Sequence, residues 1–94
     1  YYLAPSAETA DTLGWILARQ GEAERALPLL RQAAAASVAR RRPDPSMFYR
    51  YAVVLEAAGQ RDEARRVLEP VVKADLQFPE RAEAERLYAR LGGG

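Results

Sequence analysis

Apolar residues recur at helical spacing in two separate stretches of the chain. In each stretch the apolar side chains are three and four residues apart: Ala10, Leu13 and Leu17 in the first, and Phe48, Tyr51 and Leu55 in the second. Residues at these intervals share one face of an α-helix, whereas those on one face of a strand recur with a period of two. The pattern therefore predicts two amphipathic helices, each with one face turned to a core.

A second helix follows each of these after a short turn that contains a glycine. Gly21 and Gly59 stand where the first helices would end, in the left-handed conformation that glycine adopts at little steric cost. The inward positions of the second helices are apolar in both stretches: Ala26, Leu29, Leu30 and Ala33, and later Ala64, Val67, Leu68 and Val71. Helices joined by a turn of about three residues lie antiparallel, so the sequence predicts two helical hairpins.

The two hairpins repeat one plan at an interval of 38 residues, the distance from Gly21 to Gly59. Six positions recur: Leu13, Gly14, Leu17, Gly21, Ala26 and Leu30 are matched by Tyr51, Ala52, Leu55, Gly59, Ala64 and Leu68. Such repetition is typical of repeat proteins. Gly14 costs a helix about 1 kcal/mol relative to alanine, and its counterpart Ala52 is also small. We therefore expect another backbone to come too close at this position for a larger side chain.

Proline positions predict where the helices end or bend. The second helix of the first unit is alanine-rich and is expected to run from about residue 23 to residue 41, before Pro43 and Pro45 end it. Pro28 lies near the start of that helix and predicts only a mild kink. Pro70 lies deeper inside the second helix of the second unit, where it predicts a visible bend or an interruption.

A last helix is predicted to begin at Pro79, because proline needs no amide donor in the first helical position. Acidic residues follow in its first turn, and its apolar side consists of Ala84, Leu87, Tyr88 and Leu91. Charged residues occupy its other sides. This helix is therefore predicted to be a terminal cap that gives the stack a wettable end.

Composition excludes several classes of function. The chain of 94 residues has a net charge of +1, no cysteine and no histidine, which excludes disulfides, the usual zinc sites and histidine acid–base chemistry. Its serines have no histidine to activate them and its carboxylates have no fixed spacing across a cleft, so we expect neither an enzyme nor a cofactor. Its apolar runs are shorter than the roughly 18–20 residues that span a bilayer, and no membrane insertion by this segment is expected.

Residues 40–42 form a cluster of three arginines, which raises the question of nucleic-acid binding. Clustered arginines can bind phosphate, but at the end of a helix they also complement its negative dipole. The other charges are balanced, and aromatic residues do not alternate with the arginines. We therefore predict no nucleic-acid partner.

The repeated positions, from Leu13–Gly14 to Leu30 and from Tyr51–Ala52 to Leu68, resemble the tetratricopeptide repeat over about residues 7–91. The resemblance implies an all-α solenoid of antiparallel helix hairpins, with about two repeats and a C-terminal capping helix in a single domain. The expected divisions are the tail of a preceding repeat at 1–6, repeat one with an extended second helix at 7–42, repeat two at 43–78, and the capping helix with its glycine tail at 79–94. In place of the family's first bulky aromatic residue, unit one has Ala10.

In this family the first helices of successive units line a concave groove that holds peptides or partner helices. The resemblance places two sets of residues in that groove: Glu8, Asp11, Thr12, Trp15 and Arg19, and Ser46, Tyr49, Arg50, Val53 and Glu56. Trp, Tyr and Arg are enriched where binding energy concentrates. We predict a surface for a protein or peptide partner that comprises Trp15, Arg19, Tyr49, Arg50, Asp11 and Glu56. The alternative is that Trp15 packs between neighbouring first helices and that Tyr49 and Arg50 are ordinary solvated residues.

A narrower resemblance concerns residues 8–33, 48–65 and 78–91. Together they are similar to the C-terminal end of bacterial repeat lipoproteins tied to exopolysaccharide export and PEP-CTERM sorting. This resemblance implies a location in the periplasm or at the outer membrane, and without it the expected location is the cytoplasm.

Two functions from different classes stay open at this stage. The chain is either a scaffolding module that binds a partner in its groove or a structural cap that finishes a longer array without a ligand. An apolar face of Ala10, Leu13 and Leu17 would be covered by a preceding unit. We therefore expect self-association through the N-terminal end at high concentration.

Overall fold

The computed structural model describes residues 7–39, 44–74 and 77–92, with their side chains from Ala10 onward. Over this part of the chain the fold consists of helices without a strand: α1 (Ala7–Arg19), α2 (Ala23–Ala39), α3 (Pro45–Ala57), α4 (Arg61–Lys73) and α5 (Arg81–Arg90). The predicted all-α repeat of helix hairpins is confirmed. Predictions about residues 1–6, 40–43 and 93–94 fall outside the described residues.

The same turn closes both hairpins, α1–α2 and α3–α4. Gly21 and Gly59 both have a φ of +83°, in the left-handed region. The amide of Gly21 donates to the carbonyl oxygen three residues earlier in the chain, at 3.0 Å. The amide of Glu22 donates to the carbonyl oxygen five residues earlier, at 2.9 Å. Gly59 and Gln60 make the same two bonds at 3.0 and 2.8 Å. This is the Schellman arrangement, and it confirms the helix ends expected at both glycines.

Gly14 lies where α1 packs closely on α2. A Cβ atom at Gly14 would stand 2.8 Å from Cγ of Leu30 and 3.3 Å from the carbonyl oxygen of Ala26. Leu30 is itself buried and has little room to withdraw. The expected close approach is therefore confirmed. The nearest atoms, however, belong to the Leu30 side chain rather than to a backbone, and they lie on the second helix of the same hairpin.

The second helix of the first hairpin is longer than its counterpart, with 17 residues in α2 against 13 in α4. Ala33 in α2 forms a small second core with Ala10 and Met47. Further along, Ser37 is buried and its hydroxyl donates to the carbonyl of Ala34 at 2.8 Å, so no polar atom is left without a partner there. The predicted extension of this helix is confirmed as far as Ala39.

An aspartate and a proline fix the start of α3. Asp44 has extended backbone angles, and its side-chain oxygen accepts a hydrogen bond from the amide of Ser46 at 2.9 Å. Pro45 occupies the first helical position, where an amide donor is not needed. The segment that was expected only to end one helix therefore also starts the next one.

Both helices that contain an internal proline continue through it. α2 continues through Pro28, and α4 continues through Pro70 to Lys73, so the interruption expected at Pro70 is wrong. Each proline removes the partner of a carbonyl four residues earlier. Because Glu24 and Arg66, the residues at those positions, are exposed, water can hydrogen-bond these carbonyls instead.

The start of the last helix also differs from the prediction. α5 begins at Arg81, and Pro79 lies in the turn before it rather than in the first helical position. In that turn the amide of Arg81 donates to the carbonyl of Phe78 at 3.1 Å. The apolar side of α5 is buried as predicted, with Ala84, Leu87, Tyr88 and Leu91 in the main core.

The main core joins both hairpins and α5. Its largest fully buried side chains are Leu30, Leu55, Leu68 and Val54. Tyr51 of α3 extends through this core, and its hydroxyl accepts a hydrogen bond from Nε of Arg31 at 3.0 Å and donates to Glu63 at 3.1 Å. One tyrosine thereby links α2, α3 and α4 through polar contacts at the edge of the core.

The outer face of α1 is only partly the one predicted. Leu13 is exposed as expected, and Ile16 is exposed beside it. Ala10, which was assigned to this face, is instead fully buried between α2 and α3 with Ala33. Leu17 is half-buried against the main core. The exposed apolar face therefore centres on Leu13 and Ile16, because the small side chain of Ala10 fits against the longer α2.

Candidate functional site

The helices α1, α3 and α5 lie side by side and run in the same direction. Asp11, near the start of α1, contacts Arg50 near the start of α3. The starts of α3 and α5 also meet, because Ser46 near the start of α3 contacts Glu80 just before α5. The ends of the same two helices meet through Glu56 and Arg90. We call the surface formed by α1, α3 and α5 the first-helix face; it corresponds to the predicted groove and extends it to the last helix.

Asp11 and Arg50 form the most buried ion pair of this face among the described residues. Nε of Arg50 donates to Oδ1 of Asp11 at 2.9 Å, and its Nη2 pairs with Oδ2 in a bidentate contact. The side chain of Asp11 is only about a tenth exposed and that of Arg50 about a fifth. A bidentate, desolvated pair of this kind fixes the relative position of two helices. Two predicted binding residues therefore also hold α1 against α3.

The last helix continues this polar contact. Nη1 of Arg50 lies 3.9 Å from Oε2 of Glu80. The other oxygen of Glu80 accepts a hydrogen bond from the hydroxyl of Ser46 at 2.6 Å. A chain of charged and hydroxyl groups thus crosses all three helices, from Asp11 through Arg50 to Glu80.

A second bidentate pair joins the far ends of α3 and α5. Nη2 and Nε of Arg90 donate to the two oxygens of Glu56 at 2.7 and 3.1 Å. Arg61 lies 3.4 Å from the same carboxylate and donates through Nη2 to the carbonyl of Arg90 at 3.0 Å. The hydrogen bonds from Arg90 hold the pKa of Glu56 below its usual value. Glu56, another predicted binding residue, is therefore also part of the contact between repeat two and the last helix.

The aromatic residues of the face are half-buried rather than fully exposed. Trp15, Tyr49 and Val53 all pack against the main core. Burial raises the pKa of the Tyr49 hydroxyl, and the nearby carboxylates of Glu83 and Glu80 raise it further. Tyr49 therefore lies next to α5, while Trp15 belongs to α1. Trp15 packs against the main core and is partly exposed, and its packing between neighbouring first helices stays a prediction.

Arg19 differs from the other charged residues of the predicted set. It is exposed at the end of α1 and makes no ion pair with another described residue. It lies eight residues, or about two helical turns, from Asp11 in α1, so the structure does not bring the two predicted arginines together.

Sequence reasoning missed the contribution of the last helix to this face. Glu80 and Arg90 were treated as ordinary charges of a cap, although they contact Ser46 and Glu56 of the predicted groove. The signal for their role was the glycine that follows α5. Gly92 has a φ of +91°, in the same left-handed region as the glycines that end α1 and α3, so α5 ends in the same way as the two first helices. Nothing is described of the side chain of Glu8.

A shallow, open cleft of about 400 Å³ lies at another part of the molecule, between the α1–α2 turn and the end of α3. It is lined by Gly21, Glu22, Ala23, Glu24, Arg25, Ala57 and Ala58. Within it Arg25 donates to Glu22 at 2.7 Å on an exposed surface. None of the predicted binding residues lines this cleft, so it is separate from the first-helix face.

Within residues 7–39, 44–74 and 77–92, no group of three acidic side chains is placed to hold a metal ion. In the same part of the chain, no helix has the length and apolar character that crossing a bilayer requires.

A family model described as tetratricopeptide repeat matches residues 17–91. No curated protein and no solved structure matches the chain.

Proposed function

We propose that this chain, which belongs to the tetratricopeptide repeat family, is a protein-interaction module that holds a peptide or helix of a partner on its first-helix face. Repeats of this family generally mediate protein–protein interaction and are typically non-catalytic. The observation that carries the proposal is the position of Trp15 and Tyr49, which are half-buried on a face whose neighbouring carboxylates are already paired.

The proposed contacts are divided between two kinds of residue. Trp15, Tyr49 and Arg19 would contact the partner directly, because aromatic rings and an exposed guanidinium give large, oriented contacts at little entropic cost. Arg50, Asp11 and Glu56 belong to the same predicted surface, and their ion pairs hold the three helices in place. A partner would meet these three side chains already paired and held in place.

This division decides which variants test the proposal. Replacing Arg50 or Asp11 would disturb the packing of α1 on α3, so a loss of binding could follow from a loss of structure. Trp15→Ala, Arg19→Ala and Tyr49→Ala avoid the ion pairs. Arg66→Ala and Gln32→Ala, at exposed positions on the second helices, are matched controls.

The test uses peptides selected on the immobilised chain from a random displayed library, labelled and titrated by fluorescence polarisation. We expect Trp15→Ala to weaken binding about tenfold or more, which is about 1.4 kcal/mol, with smaller losses for Arg19→Ala and Tyr49→Ala. The controls should bind as the parent chain does. If the selected peptides bind the triple variant as tightly as the parent, the first-helix face is not the binding surface.

A setting in bacterial exopolysaccharide export is a narrower proposal. Its support is the resemblance of residues 8–33, 48–65 and 78–91 to the ends of repeat lipoproteins of such systems. In that setting the module would scaffold an export complex in the periplasm or at the outer membrane. Fractionation of the source cells with an antibody to this segment tests the location, and a purely cytoplasmic signal would refute it.

A structural role is the second candidate function, and the last helix favours it. Glu85 lies seven residues before Gly92, and Ala52 lies seven residues before Gly59, so the two residues share one repeat position. Ala52 is buried against the second helix of its hairpin. Glu85 is exposed and pairs with Arg81 at 3.4 Å. A polar residue at this position suits a helix that receives no further helix and ends the stack in water.

The two candidates differ in what removal of repeat two and α5 does. The experiment compares capture of a partner by the natural protein with and without residues 45–92. If the deletion lowers solubility or thermal stability but leaves capture unchanged, the structural role is supported. If capture is lost while the remaining protein stays folded by circular dichroism, the binding role is supported.

Weak self-association is a further proposal, supported by the exposure of Leu13 and Ile16. Association through two half-exposed side chains on each copy would bury far less surface area than the about 800 Å² per partner that a stable interface buries. Association is therefore expected only near millimolar concentration. Sedimentation equilibrium that shows a strict monomer at that concentration would contradict it.

A further inference from the structure

The shallow cleft between the α1–α2 turn and the end of α3 has a counterpart one unit further along the chain. Arg61 lies two residues after Gly59, at the start of α4. Ala23 lies two residues after Gly21, at the start of α2, and lines the cleft. The two units therefore differ at this shared repeat position by an alanine in the first and an arginine in the second.

In the second unit the arginine side chain connects the start of α4 to the end of α5. Nη2 of Arg61 donates to the carbonyl of Arg90, the last residue of α5, at 3.0 Å. Its Nη1 lies 3.4 Å from Oε2 of Glu56. The last carbonyls of a helix lack partners within that helix and carry partial negative charge. One guanidinium thus caps the end of a helix and pairs with a carboxylate at the same time.

The equivalent acceptor at the cleft has no donor. Ala57 is the last residue of α3 and lies two residues before Gly59, as Arg90 lies two residues before Gly92. Ala57 lines the cleft, and none of the described residues donates a hydrogen bond to its carbonyl oxygen. The end of α3 therefore has an uncapped acceptor at the position of the one that Arg61 caps at the end of α5.

Carboxylates border the cleft as well. Ala18 stands in the first unit where Glu56 stands in the second, but Glu22 and Glu24 line the cleft instead. Glu24 is exposed and makes no ion pair with another described residue, whereas Glu22 pairs with Arg25 at 2.7 Å. The lining side chains thus carry two negative charges and one positive charge. This excess favours a cation over an anion in the cleft.

We infer that the cleft binds an arginine side chain of a protein partner. The guanidinium of that side chain donates to the carbonyl oxygen of Ala57 and pairs with Glu24, which are the two kinds of contact that Arg61 makes one unit later. A guanidinium presents a planar fork of donors that can meet two acceptors at once, whereas an ammonium group is a compact point charge. Because the cleft is separate from the first-helix face, this inference does not depend on the proposed function.

The experiment titrates the isotope-labelled chain with the tripeptide glycyl-arginyl-glycine, blocked at both ends, and follows the backbone amide signals by NMR. We expect saturable shifts at residues 21–25 and 57–58, with a Kd on the order of millimolar because a single side chain binds. Tripeptides with lysine or glutamine in place of arginine are expected to bind about fivefold more weakly or less. Equal binding of either one, or an absence of saturable shifts at these residues, would overturn the inference.

A variant that fills the cleft from within the chain tests the position. Ala23→Arg copies the residue of the second unit and is expected to weaken binding of the arginine tripeptide about tenfold or more. Ala35→Arg adds the same charge at an exposed position about three turns further along α2 and should leave binding unchanged. The amide spectra show at the same time that each variant is folded. Equal binding by the two variants would overturn the inference.

The carboxylate contact has its own variant. Glu24→Gln keeps the shape of the side chain and removes its charge, and it is expected to weaken binding of the arginine tripeptide about threefold. Glu83→Gln, at an exposed position on α5, makes the same change in net charge away from the cleft and should have no effect. A loss with Glu24→Gln that is no larger than the loss with the control would overturn the inference.

Discussion

The two hairpins have the same backbone plan but different surroundings. α3–α4 lies between α2 on one side and α5 on the other, whereas the described contacts of α1–α2 are on one side only. As a result Val54 is almost fully buried and Ile16, at the same repeat position, is half exposed. A repeat position therefore specifies the direction of a side chain, and the neighbouring unit decides whether that side chain joins a core.

The polar contacts show the same asymmetry. α3 forms ion pairs with both neighbours, through Arg50 to Asp11 of α1 and through Glu56 to Arg90 of α5. Thr12 stands in α1 where Arg50 stands in α3, and Ala18 stands where Glu56 does. These side-chain types make α3 the helix that connects the units, and they are not repeated in α1.

The largest effect is expected from breaking the pair between α1 and α3. Arg50→Met keeps the length of the side chain but leaves the carboxylate of Asp11 buried without its partner. We expect a loss of about 2–3 kcal/mol in the free energy of unfolding, measured in urea. Arg25→Met is the control, since its pair with Glu22 is exposed and contributes about 0.5 kcal/mol or less. A smaller loss for Arg50→Met than for the control would mean that this pair does not join the hairpins.

The matched positions of α1 and α3 allow a direct comparison of burial. Val54→Ala is expected to cost about 2 kcal/mol, because it removes apolar surface from the core and leaves a cavity. Ile16→Ala is expected to cost less than about 1 kcal/mol, although it deletes a larger side chain. Urea unfolding of the two variants checks the order. The reverse order would show that Ile16 is covered in the folded chain.

The contact between the two helices of each hairpin can be tested by exchanging glycine and alanine at the matched positions Gly14 and Ala52. Gly14→Ala gains helix propensity but places a methyl group against Leu30, and we expect a net loss of about 1 kcal/mol. Ala52→Gly is expected to lose about 1 kcal/mol as well, because glycine weakens the helix and leaves a gap. Thermal unfolding measures both. If Gly14→Ala raises Tm, the packing of α1 on α2 is looser than the structure shows.

The smallest effect concerns acid pH at the contact between α3 and α5. Arg90 holds the pKa of Glu56 below its unfolded value, so the ion pair stabilises the fold above the unfolded pKa and is lost as pH falls through the folded one. Glu56→Gln should therefore lower Tm near neutral pH and make less difference near pH 3. Thermal scans over this range, with Glu83→Gln at an exposed position as the control, test the sign. A parallel pH dependence in parent and variant would contradict it.

The repeat could be predicted from the sequence because its signals are local. Gly21 and Gly59 end helices through their own backbone conformation, and the spacing of apolar residues follows from helix geometry. The interruption expected at Pro70 was wrong because the cost of a proline inside a helix depends on whether the carbonyl four residues earlier meets water. That is not a local signal, and the sequence does not state it. Asp44 was not recognised as the cap of α3, although an aspartate before a proline is a local signal for one.

The sequence could predict which helices carry the candidate residues but not the contacts that these residues make. The resemblance named Arg50, Asp11 and Glu56, and the structure places all three along the first helices. That Arg50 pairs with Asp11, and Glu56 with Arg90, depends on how far each helix is shifted along its neighbour. Such a shift is set by the packing of whole helices, and no short stretch of sequence determines it.

The sequence by itself determined the helices, the turns at Gly21 and Gly59, and the plan of two hairpins followed by a single helix, because these follow from spacing and backbone preference within a few residues. The tertiary structure alone decided which of the apolar side chains at matched repeat positions are buried. Leu13 and Ile16 stay in water while Tyr51 and Val54 do not, because burial requires a second surface brought from elsewhere in the chain.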